Sequence, residues 1–256
     1  MNRKFSPTLD LVALKEHCAG CNIRQMCLPI SLEPPDQKKL CSLVSCKSVP
    51  KGEFVYLDDA PFRYLYLVRK GAVKTWCSNS GGEMQILAFH LPGELIGLDG
   101  VAQTRHQCTA QALVKTELCQ IPYTRLDTLA EDLPSLRARL MNIVSREFVL
   151  EQEHIMMMSA RPAIERLALF LQTLRQRIEM AAGPRRVLTL DMARWEIANF
   201  LALASETVSR LLVELQKAGV IRISRRDLEI LDMERLIEIS GQDLGELPCF
   251  KEARPG

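Results

Sequence analysis

The sequence has no apolar run near the ~20 residues that a membrane-spanning helix needs. Its first residues, MNRKFSPTLDL, lack the apolar core of a secretory signal. It also lacks an excess of either charge, since 33 Lys and Arg and 31 Asp and Glu give 256 residues a net charge of +2. Hydrophobic residues are 47% and charged residues 25%, which excludes a disordered or generally polybasic chain. We therefore expect a cytoplasmic protein of about two globular domains, with no membrane partner.

Cysteine is abundant, with nine residues in the chain. A reducing compartment argues against a disulfide framework, so this number indicates a metal or redox role for some of them. Cys18, Cys21 and Cys27 form the spacing Cys-x2-Cys-x5-Cys in a segment whose later prolines, Pro34 and Pro35, predict a loop. Three thiolates on one short loop predict a metal site whose fourth ligand comes from elsewhere. The spacing itself fits both zinc and an iron–sulfur cluster.

The middle of the chain, from about residue 48 to residue 128, has the pattern of short β-strands. Apolar runs such as YLYLV at 64–68 alternate with turn signals such as LPG at 91–93. Short strands at regular spacing with glycine turns predict a β-barrel or β-roll. Cys119 lies at the end of this region, where a ligand would connect the N-terminal loop to the long helix that follows.

After Pro134 no glycine or proline interrupts the chain until about residue 160. Residues alternately three and four apart form the a and d positions of a helix pair, with one acidic member: Met141, Val144, Phe148, Glu151, Ile155 and Met158. A helix lying on the core of its own chain would give a similar pattern. Leu140, Ile143 and Leu150 offer a second apolar side to cover the β-roll, which favours an intermolecular dimer seam. Across a two-fold axis the Glu151 carboxylates would repel, so that seam is marginal.

Residues 194–223 have the pattern of a helix–turn–helix motif. Ala202 occupies the turn, where glycine is commoner, and Ser205 is a candidate N-cap for the second helix. The outward residues of the second helix are of types that hydrogen-bond base edges: Glu206, Thr207, Ser209 and Arg210. A hairpin with a basic tip, Arg225 and Arg226, predicts a wing beside DNA phosphates.

The charge of this segment separates DNA binding from the alternative of an ordinary helical hairpin with solvated charges. Between positions 194 and 226 there are six basic and three acidic residues, which favours DNA binding. The whole chain is then an α+β protein with an N-terminal β-roll, a long dimerisation helix and a C-terminal winged helix–turn–helix. Its expected parts are a cysteine-rich loop, a β-roll sensor domain, a dimerisation helix, a DNA-binding domain and a tail, at residues 1–30, 31–132, 133–160, 161–240 and 241–256.

The order of these parts resembles the CRP/FNR family of bacterial transcription regulators over roughly residues 17–235. The resemblance rests on the cysteine spacing, on FHLPGELIG at 89–97, on AQAL at 110–113 running on to CQIP at 119–122, and on ETVSRLL at 206–212. Within the family it is similar to the oxygen-sensing fumarate and nitrate reduction regulators. Such a protein is not an enzyme.

The resemblance implies roles for individual residues. Cys18, Cys21, Cys27 and Cys119 would hold an oxygen-labile [4Fe-4S] cluster. Glu206, Ser209 and Arg210 would read a TTGAT half-site of a palindromic operator in double-stranded DNA. The intact cluster would favour a homodimer, which would bind the operator, contact RNA polymerase, and activate or repress genes of anaerobic metabolism.

Three other functions have weaker support in the sequence. Relatives that bind cyclic AMP have a phosphate-binding Arg-Ser/Thr-Ala, whereas Cys108 replaces the arginine before Thr109-Ala110 here, so we expect no cyclic nucleotide. A redox enzyme or electron carrier would need a thioredoxin-like βαβ pattern, which the sequence lacks. A regulator with a structural zinc would be colourless after anaerobic purification.

Overall fold

A computed structural model of the chain describes residue 28, residues 32–78 and residues 81–241. Cys18, Cys21 and Cys27, and the tail from residue 242 onward, lie outside the described residues. The structure therefore does not test the predicted cysteine loop.

The first domain is a β-roll preceded by a short helix, α1, at Pro34–Leu43. Its strands, β1 to β8, are Ser45–Val49, Phe54–Tyr56, Tyr64–Lys70, Val73–Ser78, Met84–His90, Leu95–Ile96, Thr109–Ala112 and Thr116–Pro122. They form two antiparallel four-stranded sheets, in the orders β1-β8-β3-β6 and β2-β7-β4-β5. Val68, Val73 and Leu118 are fully buried between these sheets. The predicted β-roll is confirmed.

Two helices lie where the sequence pattern indicated otherwise. The loop expected around Pro34 and Pro35 is the start of α1, because proline fits the first helical turn, where its missing N–H has no partner to lose. The strand-like region was expected to reach residue 128, but helix α2 begins at Tyr123 and continues to Asp132. Leu126 and Ala130, four residues apart, bury one face of α2, which gives it a helical period.

The second half of the chain is a long helix followed by a winged helix–turn–helix domain. Its helices, α3 to α7, are Pro134–Ala160, Ala163–Ala182, Arg194–Phe200, Ser205–Lys217 and Met233–Ser240. Strands β9, β10 and β11, at Val187–Thr189, Ile221–Ser224 and Asp227–Ile230, form an antiparallel sheet in the order β10-β11-β9. The predicted α+β architecture with a C-terminal winged helix is confirmed. No helix within the described residues is long and apolar enough to cross a membrane.

The winged domain packs on the β-roll through an aromatic cluster. The ring of Phe89 on β5 lies 5.1 Å from that of Phe200 and 6.2 Å from that of Phe170. Phe200 also stacks on His154 of α3 at 4.1 Å. Large buried rings contribute strongly to packing energy, so this cluster fixes the orientation of the DNA-binding domain relative to the sensor domain.

Candidate functional site

The second helix of the helix–turn–helix, α6, has one buried and one exposed face. Val208, Leu211 and Leu212 are buried against the domain core, as their spacing of three and four residues requires. Glu206, Ser209 and Arg210 are exposed on the opposite side, and Thr207 is half-buried. Within the part of the chain that the structure describes, the side chains of Glu206 and Arg210 form no hydrogen bond or ion pair. They are therefore available to base edges.

The start of α6 differs from the prediction at Ser205. Ala204, whose backbone is extended, is the N-cap residue, and its carbonyl accepts the first helical hydrogen bond from the Val208 N–H. Ser205 is instead the first helical residue, and its carbonyl accepts a hydrogen bond of 2.9 Å from Ser209 Oγ. Ala202 adopts a positive φ of 48°, the left-handed conformation in which glycine is commoner.

The wing is the β10–β11 hairpin, and its tip is basic. Arg225, with a φ of 56°, and Arg226 are exposed between the paired residues Ser224 and Asp227. At the base of the hairpin Glu229 accepts hydrogen bonds from Arg186 and Arg222, and these hold its pKa below the usual value. Because Arg222 is engaged within the fold, the tip residues are the better candidates for contacts with phosphates.

Cys119 lies on β8, an inner strand of its sheet, directly opposite Cys46 on β1 and Leu67 on β3. It is half-buried against an apolar group that we call the Cys119 cluster. Its buried members are Leu28, Leu32, Leu40, Val44, Leu65, Leu67, Leu95, Ile121, Leu126, Ala130, Leu136 and Ile143. Helix α2 lies between β8 and α3 in the chain, so Cys119 is not followed immediately by the long helix.

The Cys119 cluster nevertheless contains residues from both the N-terminal segment and helix α3, which a sensor of this kind would need to connect. Leu28 follows Cys27 directly in the chain and is only 1% exposed within this cluster. Leu136 and Ile143 of α3 belong to the same cluster. The described residues contain no group of three or more His, Cys, Asp or Glu able to hold a metal, and Cys18, Cys21 and Cys27 lie outside them.

One face of α3 exposes large apolar side chains. Met141 is 62% exposed, Phe148 59% and Ile155 65%, and Val144 and the predicted Glu151 are also exposed on this helix. Ile143 faces the roll, as the sequence predicts. An exposed stripe of large apolar side chains marks an interaction surface. Met158 departs from the predicted seam, because it is partly buried against the core of its own chain.

The Asp99 carboxylate lies beside Cys108, the residue that precedes Thr109 and Ala110. Asp99 accepts hydrogen bonds from Cys108 Sγ at 3.4 Å and from the Tyr56 hydroxyl at 3.2 Å. Burial, together with Asp99, raises the pKa of the Cys108 thiol, which therefore stays neutral. A cavity of about 910 Å³ is lined by Tyr56, Asp99 and Cys108, and also by Glu147 and Glu151. Burial raises the pKa of Glu147 to about 7.

Buried ion pairs connect the roll to the winged domain. Lys74 Nζ of β4 lies 2.8 Å from Glu196 Oε1 of α5, and both side chains are less than a tenth exposed. Arg177 of α4 binds Glu94 with two hydrogen bonds of 2.7 and 2.6 Å. Burial opposes ionisation of Glu94, yet Arg177 holds its pKa below the usual value. Sequence reasoning missed these residues because no local spacing relates their positions.

Glu196→Ala is expected to lower the free energy of unfolding by about 3–5 kcal/mol, because Lys74 would remain buried without its carboxylate partner. Glu238→Ala is the matched control, since it removes one partner of an exposed pair, Arg235–Glu238, and is expected to cost less than ~1 kcal/mol. Denaturant unfolding measures both values. Losses of equal size would show that the Lys74–Glu196 pair has no special structural role.

Comparisons with known proteins agree with this architecture. Residues 46–132 match the family described as "Cyclic nucleotide-binding domain", and residues 165–239 match the family described as "Crp-like helix-turn-helix domain". The chain is 39% identical to "Transcriptional activator protein anr" of Pseudomonas aeruginosa, over 94% of this chain and 99% of that protein. It is 35% identical to "Anaerobic regulatory protein" of Haemophilus influenzae, over 92% of each.

Two further similarities extend the comparison. The chain is 36% identical to "Fumarate and nitrate reduction regulatory protein" of Vibrio cholerae, over 88% of this chain and 90% of that protein. The structure of FixK2 from Bradyrhizobium japonicum superposes with a TM-score of 0.72 at 28% identity, over 78% of this chain and 98% of that one.

Proposed function

Because the chain belongs to the CRP/FNR family of DNA-binding transcription regulators, we propose that it is an oxygen-responsive member of that family. Without oxygen, Cys18, Cys21, Cys27 and Cys119 hold a [4Fe-4S] cluster, and the loaded chain forms a homodimer. The homodimer binds a palindromic operator of TTGAT type in the cytoplasm. Through RNA polymerase it activates or represses genes of anaerobic metabolism, as the names of the similar anaerobic regulators suggest.

The proposed parts are a cysteine loop at 1–30, a sensor roll at 31–132, a dimerisation helix at 133–160, a DNA-binding domain at 161–240 and a tail at 241–256. The observation that carries this proposal is the composition of the Cys119 cluster. It contains Leu28, the residue after Cys27, together with Ile143 of α3. A change in how the cysteine loop is held would therefore reach the dimerisation helix through this shared apolar cluster.

The donor set fits an iron–sulfur cluster. Such clusters are held by four thiolates, and the burial of Leu28 in the apolar cluster against which Cys119 packs supports bringing the Cys18–Cys27 loop to the fourth thiol. When bound, the cluster would be the group that reacts with oxygen. The protein side chains do not provide this reactivity. The chain contributes the thiolates and the apolar packing that excludes water on one side of Cys119.

The exposed face of α6 supplies the base contacts. The Arg210 guanidinium can donate two hydrogen bonds to O6 and N7 of one guanine, and the Glu206 carboxylate can accept one from cytosine N4. Ser209 can serve a base or a phosphate. Arg225 and Arg226 at the wing tip attract phosphates without regard to sequence. Two copies related by a two-fold axis would then read the two halves of a palindrome.

The seam on α3 couples sensing to DNA binding in this proposal. Its apolar members, Met141, Val144, Phe148 and Ile155, favour the dimer, whereas two Glu151 carboxylates oppose it. The Glu151 repulsion offsets part of the apolar gain and leaves the seam marginal, so a modest change at the Cys119 cluster decides between monomer and dimer. A monomer holds only one half-site and loses the tethering that gives operator affinity.

We do not propose a cyclic nucleotide as the ligand, although the sensor domain has the fold that binds one in other proteins. A cyclic phosphate would face the Asp99 carboxylate and a neutral thiol at Cys108 instead of an arginine. An anion placed there would meet repulsion and desolvation without compensation.

Arg210→Ala tests the DNA-reading role in protein purified without oxygen. It is expected to weaken operator binding by about 1–3 kcal/mol per half-site and to relax discrimination at one guanine. Arg226→Ala is the control, because it should weaken binding to operator and random DNA equally and reduce the salt dependence. Titration at several salt concentrations measures both effects. An equal loss on operator and random DNA for Arg210→Ala would contradict base readout.

The same preparation tests the oxygen response. The parent protein is expected to be coloured, to contain iron and sulfide, and to lose operator affinity after exposure to air. A colourless protein with one zinc per chain, whose binding air does not change, would refute the cluster while leaving the DNA-reading role intact.

A further inference from the structure

The register of the first sheet brings two cysteines together. β1 and β8 are antiparallel, and Cys46 pairs directly with Cys119. Directly opposed residues of antiparallel strands point to the same face, with Cα atoms about 4.5–5.5 Å apart. A disulfide needs Cα atoms about 4.4–6.8 Å apart. The backbone therefore already has the spacing that a cross-strand disulfide requires.

The two thiols differ in access. Cys46 lies on β1, the edge strand of its sheet, and is exposed to solvent. Cys119 is half-buried against the Cys119 cluster. An external disulfide would therefore reach Cys46 first, and Cys119 is placed to react with the product.

Other cysteines of the described residues lack this arrangement. Cys77 of β4 pairs with Gln85 of β5, which carries no thiol. Cys108 is 5% exposed, and burial together with Asp99 raises the pKa of its thiol and suppresses the reactive thiolate. Cys41 lies on α1, outside the sheet.

We propose that Cys46 and Cys119 form a reversible thiol–disulfide pair that sequesters Cys119 in the cluster-free protein. The inference rests on the proposed function, because it treats Cys119 as a ligand when the cluster is present. Its consequence is that oxidised, cluster-free protein cannot rebuild the cluster until a thiol reductant opens the disulfide. Through Cys46, the rebuilding of the cluster thus depends on the thiol–disulfide balance of the surroundings as well as on oxygen.

The reaction is a thiol–disulfide exchange with a small-molecule disulfide, RSSR. The Cys46 thiolate attacks one sulfur of RSSR, which forms a mixed disulfide and releases one RS⁻. The Cys119 thiolate then attacks the Cys46 sulfur, which forms the Cys46–Cys119 bond and releases the second RS⁻. Both thiol protons end on the released RSH molecules, so two protein thiols are oxidised and one RSSR is reduced to two RSH.

Oxidised glutathione and the full chain test the pair. Cluster-free, reduced protein is incubated with oxidised glutathione, alkylated, digested with trypsin and analysed by mass spectrometry. Peptide 40–47 is expected to be linked to peptide 116–125 in the parent and in Cys41→Ser, but not in Cys46→Ser. Cys41→Ser is the matched control because Cys41 and Cys46 lie in the same tryptic peptide. A stable glutathione adduct at Cys46 without the link, or a link that survives in Cys46→Ser, would overturn the proposal.

Iron uptake tests the consequence. After oxidation, the parent supplied with iron, no thiol reductant and no more sulfide than one cluster requires is expected to rebuild the cluster at least about tenfold more slowly than Cys46→Ser, because excess hydrosulfide would itself open the disulfide. With reductant present, the two should be equal. Equal rates without reductant would overturn the sequestering role. If the link forms in the parent but Cys119→Ala keeps its iron, the proposed set of cluster ligands is wrong, whereas the proposed Cys46–Cys119 disulfide is supported.

Discussion

Cys119→Ala is expected to leave the anaerobically purified chain without iron or sulfide and without response to oxygen. The physical reason is that a [4Fe-4S] cluster needs four thiolates, and the sequence pattern assigns only three of them to the N-terminal loop. The same complete loss is expected for Cys18→Ala, Cys21→Ala and Cys27→Ala. Iron and sulfide assays with the visible absorption spectrum measure the result.

The control is Cys77→Ala, which removes a half-buried strand cysteine of the same roll that faces Gln85 rather than the Cys119 cluster. It should retain the full iron and sulfide content. Cys119 is itself only half-buried, so the fold of Cys119→Ala should survive, and circular dichroism can verify this. A folded Cys119→Ala protein with the iron content of the parent would remove Cys119 from the ligand set.

The sequence predicted those features that repeat at short range. The spacing of Val208, Leu211 and Leu212 fixes which side of α6 is buried, and so it also fixes which side is left exposed. Glycine and proline at regular intervals marked the turns of the roll. Prolines were ambiguous, because Pro34 suits the first turn of a helix as well as a loop.

Features that depend on long-range pairing could not be predicted. Lys74 and Glu196 are 122 positions apart, and only the packing of the winged domain on the roll brings them together. Cys46 faces Cys119 because of the β1–β8 register, which the sequence of neither strand specifies alone.

The predicted seam shows that a heptad pattern does not fix the exposed face along the whole of a long helix. A strict heptad pattern drifts ~20° per heptad on a straight α-helix. Met158 lies more than two heptads beyond Met141, and its side chain has turned toward the core of its own chain. The exposed part of the seam therefore ends near Ile155.

Phe148→Ala is expected to leave a chain that binds iron but stays largely monomeric. Phe148 is 59% exposed in the single chain, so a dimer would bury much of its ring. At ~2 kcal/mol per copy, two copies contribute ~4 kcal/mol, and their loss weakens the dimer by about a thousandfold. Leu231→Ala is the control, because Leu231 is exposed outside α3 and its loss should leave the dimer unchanged. Sedimentation of anaerobic samples separates the two variants.

Glu151→Ala is expected to have the opposite effect and to dimerise and bind its operator even in air. Removing two like charges from a partly desolvated seam relieves repulsion on the order of 1–3 kcal/mol, which tightens the dimer by a factor of about 5 to 150. The variant should still bind iron and lose it in oxygen, because Glu151 is not a member of the Cys119 cluster. Glu131→Ala removes one exposed carboxylate from α2 and should leave the aerobic protein monomeric. If aerobic Glu151→Ala sediments as the parent does, Glu151 does not restrain dimerisation, and the balance proposed for the seam is wrong.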